Sequence, residues 1–225
     1  MNSSRKSEPF RLKAAFSLVE MVAVIAILVT LMTAGISLLN NTGSQSRKAG
    51  TDMLSGMIEQ ARTTAITSRC YVILAIAEPG DLPTTDERCR IGMFKVDLDK
   101  WPTGATSPVT VSATLLTRWQ TLNTGIVLIG GQVAADGVPN ALDADKMTIN
   151  YGGSKNLSIK VRAIAFNSRG GLHSPAGSTP VVLRIAEGGY RGGKATPNKR
   201  AGQEAVTENR LKIGRVTARP YQIDG

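Results

Sequence analysis

The sequence predicts an α+β protein: a long, hydrophobic N-terminal α-helix followed by a β-rich, mainly antiparallel globular head. Three observations carry this. Residues 21–39 form a run of 19 residues without a charge or a proline. An apolar stripe of helical spacing follows over residues 53–65. Beyond Ser68 the pattern becomes short alternating apolar segments divided by Gly, Pro, Asn and Asp.

The first element is the stretch "KAAFSLVEMVAVIAILVTLMTAGISLL" (residues 13–39). At about 1.5 Å per residue, its uncharged part spans roughly 28 Å, close to the hydrocarbon thickness of a bilayer. Arg5, Lys6, Arg11 and Lys13 oppose only Glu8 ahead of it, and the neutral "NNTGSQS" follows. That asymmetry predicts a cytoplasmic N-terminus and a head on the far side of the membrane. The run is too long for the apolar region of a secretory signal, and no small-x-small cleavage site stands out at its end, so it is expected to be retained. Glu20 is the anomaly. An ionised carboxylate in hydrocarbon is costly and marks function by default.

The second part of the helix, residues 40–68, is amphipathic. Met53, Met57, Ala61 and Ala65 recur every four residues with Leu54 and Ile58 beside them, a face suited to packing on a sheet. Asn40 to Ser46 are poor helix formers, so one helix from Phe16 to Ser68 is expected to soften or kink there, or at Gly35. Strands are expected at 70–77, 91–98, 109–119, 125–129, 147–151, 157–166, 180–186 and 211–218. Residues 130–146 read as an excursion, and 188–208 as a flexible loop within a head spanning 69–225.

The N-terminal stretch resembles the precursors of the type IV pilin and pseudopilin superfamily. The residues that carry the likeness are the basic leader ending "RLKAA", then "FSLVEMVAVIAIL", with Ala15, Phe16 and Glu20 in the matching places. One departure is Ala15, where the family nearly always has glycine. The resemblance implies that a prepilin peptidase removes residues 1–15, cutting between Ala15 and Phe16, and methylates the new Phe16 amine. Residues 16–39 would then form a transmembrane and filament-core helix, built on Met21, Val22, Val24, Ile25, Ile27, Leu28 and Leu31. The Glu20 carboxylate would pair with the Phe16 ammonium of a neighbouring subunit and fix its register. The alternative is a Glu20 that snorkels to water at the interface. The implied partners are the prepilin peptidase, other pilins or pseudopilins in a filament, and the bacterial inner membrane, crossed once. The head also resembles the H-type minor pseudopilins of type II secretion, through "IEQARTTAITSRCYVILAIAE" and "AIAFNSRGGLHS…PVVLRIAEG…LKIGRVTARP".

Other chemistry is thinly represented. One His and two Cys argue against a catalytic zinc site or a His-based triad, and no active site, cofactor or metal site is expected. Cys70 and Cys89 would face an oxidising compartment. In a simple hairpin they would lie about 20 Å apart, so a bridge needs loop 78–90 to fold back. Otherwise Cys70 is core and Cys89 a loop thiol. The tail from residue 188 carries a net +5, and "GRVTAR" with Arg215 and Arg219 is loosely similar to the Gly-Arg segment of DNA-binding minor pilins. The bland reading is a solvated loop, and aromatics at only 4% of the chain argue against nucleic acid. Asp143 and Asp145 fall short of a calcium loop and read as a turn. His173, in "GGLHSPAG", reads as exposed and inert.

Overall fold

The structure of the protein is a computed structural model that describes residues 18–102, 109–131, 137–153, 157–199 and 206–223, with backbone alone along 33–43. The chain divides into two units, Met1–Thr42 and Gly43–Gly225. Helix α1 (Leu18–Thr67) supplies residues to both, and it stays helical through 40–46, where a softening or kink is expected from the sequence. Poor helix formers each cost up to about 0.7 kcal/mol, and glycine about 1, which a 50-residue helix tolerates.

In the second unit Leu54, Met57, Ile58, Ala61 and Ala65 are buried, the three-and-four spacing of the predicted stripe. The helix stops at a left-handed residue, Arg69, with φ +46°. There the Arg69 N–H donates to Ile66 and the Cys70 N–H to Ala65, a Schellman arrangement that satisfies the last carbonyls. It also turns Cys70 into the core, where it is 2% exposed.

The strands follow in the order β1 (Tyr71–Ala77), β2 (Arg90–Val96), β3 (Thr110–Ser112), β4 (Thr114–Leu115), β5 (Gln120–Thr121), β6 (Ile126–Ile129) and β7 (Met147–Tyr151). After them come β8 (Leu157–Phe166), β9 (Leu172–Ser174), β10 (Val181–Arg191), β11 (Lys194–Pro197), β12 (Glu208–Ile213) and β13 (Pro220–Ile223). The first sheet runs β3-β7-β8-β1-β2-β4. Its two ends, β3 and β4, are separated in the chain by Ala113 alone, so the sheet curls back on itself. All its pairs are antiparallel except β3 with β7.

Inside the curl lie Ile73, Ala75, Phe94, Val96, Val111, Ile149, Val161 and Ala165. On the outer face, Val72, Leu74, Ile76, Ile91, Met93, Ile164 and Phe166 join α1 and the second sheet in the larger core. β1 is therefore buried on both faces, which is why "YVILAIA" is apolar throughout and does not alternate. The second sheet runs β11-β10-β12-β13. β10 is shared on one edge between β6, against Arg184–Glu187, and β11, against Gly188–Arg191.

Several expectations need correction. The strand expected at 109–119 is split, because after Ser112 the chain leaves β7 and Thr114 begins to pair with β2. The strand expected at 211–218 ends at Ile213, turns, and returns as β13. The stretch 188–208 is ordered in its first half, since Gly188–Arg191 and Lys194–Pro197 form a hairpin turning at Gly192 and Gly193, with φ +55° and +78°. Residues 200–205 lie outside the described residues. The excursion 130–146 is tied to β10 where the Val182 N–H donates to Pro139, while Asn140 Nδ2 donates to Ile129.

Candidate functional site

Between Leu18 and Met32 the only charged residue is Glu20, in the first turn of α1. Around it, eleven large apolar side chains from Leu18 to Met32 are 50–80% exposed, Met21, Val22, Val24, Ile25, Ile27, Leu28 and Leu31 among them. Burying such side chains is worth about 1.5–3 kcal/mol each, so the segment demands an apolar environment from outside the chain. Ala15 and Phe16 lie outside the described residues. Side chains of the apolar run are described only as far as Met32. Among the described residues, no helix is long and apolar enough to cross a membrane.

The cysteines do not form the bridge considered above. Both are free and buried. The β1–β2 register runs from Tyr71↔Val96 to Ala77↔Arg90, which leaves Cys70 and Cys89 at opposite ends of the hairpin. That is about 20 Å, beyond disulfide reach. Cys89 ends the loop before β2 and is buried there, 1% exposed and hydrogen-bonded to the Tyr190 side chain. Burial pushes its thiol up to about 12, which leaves it inert at neutral pH. The Tyr190 hydroxyl in turn accepts from the Leu128 N–H at 3.3 Å. This thiol–phenol contact, joining the start of β2 to β10, had no signal in the sequence, because residues 89 and 190 come together only through both sheets.

Arg215 is also not the exposed phosphate contact considered from "GRVTAR". Its guanidinium donates to three carbonyls of one loop: Thr179 at 2.5 Å, Ala176 at 3.3 Å, and Pro175. Partial burial lowers its pKa, as expected for a cation that has lost part of its hydration. Arg219 is exposed. Asp143 Oδ1 accepts from the Gly131 N–H at 2.7 Å, a turn contact. Among the described residues, no group of three or more His, Cys, Asp or Glu could hold a metal.

His173 is half-buried against Tyr71 and Trp101, with ring centroids 4.7 Å from each. Tyr71 and Trp101 are also 4.7 Å apart, so the three rings form one cluster. It joins β9 and the loop after β2 to the start of β1. This corrects the expectation of an exposed His173: the two-pair strand β9 that carries it is too short to be read from alternation.

No family model matches this chain, and no curated protein sequence matches it. Among solved structures, the crystal structure of the type IV minor pilin FimU from Pseudomonas aeruginosa is similar at 11% identity, covering 82% of this chain and 91% of that one, with a TM-score of 0.37. A likeness of that size fixes neither fold nor function.

Proposed function

We propose that this chain is a pilin-like structural subunit, made as a single-pass inner-membrane precursor and assembled into a filament through its N-terminal helix. The observation that carries the reading is Glu20, an acid set among exposed apolar side chains in the first turn of α1 and four residues after Phe16. An acid placed there is unfavourable in a lipid or helix bundle unless it meets a cation. A new amine on Phe16 of a neighbouring subunit supplies one at a fixed axial height, so pairing sets register while the leucines, valines and isoleucines supply cohesion. In this reading the prepilin peptidase cuts between Ala15 and Phe16, and the head stands in the periplasm. The stretches quoted above favour a minor pseudopilin of a type II secretion system. The nucleic-acid alternative is weakened by the capture of Arg215 within its own head.

Mass spectrometry of the mature protein tests processing: a chain beginning at Phe16, carrying one methyl group, supports the proposal. Retention of Met1, together with filament incorporation of Glu20→Ala equal to that of the parent, overturns it.

A further inference from the structure

The first sheet is not closed along its whole length. β3 pairs with β7, β4 pairs with β2, and the chain crosses between those two ladders at Ala113, whose N–H donates to the Asn150 carbonyl at 2.8 Å. An open surface pocket of about 260 Å³ lies at this seam, its lining residues half-buried or exposed. It is lined by Lys95, Asp97 and Lys100, from the end of β2 and the turn after it, and by Ser112, Thr114, Asn150 and Tyr151.

The chemistry of these walls is selective. Among the described residues, Asp97 is the lone carboxylate in the lining. Lys100 Nζ lies 3.0 Å from Asp97 Oδ2 and Lys95 Nζ 3.5 Å from Oδ1, so the carboxylate is held ionised with lone pairs to spare. A metal cation would meet two ammonium groups, and an anion would meet Asp97. About half of the wall surface is polar, against the predominantly apolar lining of an ordinary drug-sized pocket. Hydroxyls from Ser112 and Thr114 both donate and accept. The Tyr151 ring packs T-shaped with Phe94, centroids 5.2 Å apart, and lines the pocket. The space equals that of about eight liquid waters, enough for one six-membered ring bearing hydroxyls.

We propose that the seam pocket binds a single neutral hexose ring, with Asp97 accepting from two neighbouring hydroxyls. Binding is independent of filament assembly, so the two readings fail separately.

Saturation-transfer difference NMR on the full-length chain tests this, using amine-oxide micelles that carry no sugar headgroup, with glucose, galactose, mannose, glucuronate and inorganic phosphate as probes. The expected result is saturable transfer to at least one neutral hexose, with a Kd on the order of 1–10 mM. Asp97→Asn should weaken it at least fivefold by removing the acceptor charge. Ser112→Tyr, at an exposed strand position, should abolish it by filling the space. Circular dichroism identifies a variant that fails to fold, and the other variant then decides alone. Absence of saturable transfer to every hexose, equal transfer in a folded variant, or tighter binding of glucuronate or phosphate than of any neutral hexose overturns the proposal.

Discussion

Gly188 in β10 lies so close to Thr196 in β11 that a Cβ at position 188 would stand 2.3 Å from the Thr196 carbonyl oxygen and 2.8 Å from Pro197 Cα. Both obstacles are backbone, so no rotamer change relieves them. Gly188→Ala should force the hairpin apart and lower stability by about 2–4 kcal/mol. At Gly189, one residue on, a Cβ would meet nothing within 4 Å. Gly189→Ala should therefore stay within about 1 kcal/mol of the parent. Urea midpoints of the two variants check the contrast, and equal values would remove the steric argument.

Arg69 occupies the left-handed position that ends α1, at φ +46°. A side chain there costs about 1–2 kcal/mol relative to glycine, part of which glycine gives back through its freer unfolded chain. Arg69 is exposed, so little is lost with its side chain. Arg69→Gly should raise stability by about 0.5–1 kcal/mol, read as a higher melting temperature.

The Tyr190 hydroxyl accepts from the Leu128 N–H and contacts the Cys89 thiol, all within the core. Tyr190→Phe would leave a buried N–H without its acceptor, at a cost of about 1–3 kcal/mol. Cys89, pushed up to about 12, should resist alkylation at pH 8 until the protein unfolds. Intact mass without reductant should correspond to two thiols, and a mass two hydrogens lighter would show a bridge instead.

These contacts mark where sequence reading succeeds and where it stops. The stripe over residues 53–65 and the strand at 70–77 were legible from local pattern, whereas the burial of β1 on both faces was not. The 188–197 hairpin was not. Its glycines read as flexibility, whereas Gly188 is there for close approach and Gly192 and Gly193 for the turn. The division of 109–119 at Ala113 depends on a change of partner strand, and pairing is invisible to alternation. Of the candidate site residues, Glu20 stood out by its chemistry alone. Arg215 misled because a basic residue between glycine and valine looks the same whether it meets solvent or three carbonyls.

For Arg215 the fork geometry matters as much as the charge. Lysine cannot reach Pro175, Ala176 and Thr179 together from one ammonium group. Arg215→Lys should cost about 1–3 kcal/mol and increase amide exchange over residues 175–179. Arg219→Glu, at an exposed position, should change stability by no more than about 0.5 kcal/mol. Equal losses at the two sites would return Arg215 to the surface.

His173 gives the head a pH dependence whose sign follows from its surroundings. Burial against Tyr71 and Trp101 lowers its pKa below the ordinary 6.5. The unfolded chain then binds the proton more readily than the folded one, so stability rises with pH through this window. The contribution is complete above about 6.5 and is lost as pH falls towards and below the folded value. Attraction between an imidazolium and the aromatic faces would act the other way, by about 0.5–1 kcal/mol for exposed pairs. His173 makes an angle of 81° with the Trp101 ring and 44° with Tyr71, neither of them a stacked arrangement, and desolvation dominates. His173→Phe keeps an aromatic ring and removes the titration. Urea midpoints between pH 5 and 8 should fall more steeply on acidification for the parent than for His173→Phe. A parent that gains stability relative to the variant as pH drops would mean that the rings bind the cation.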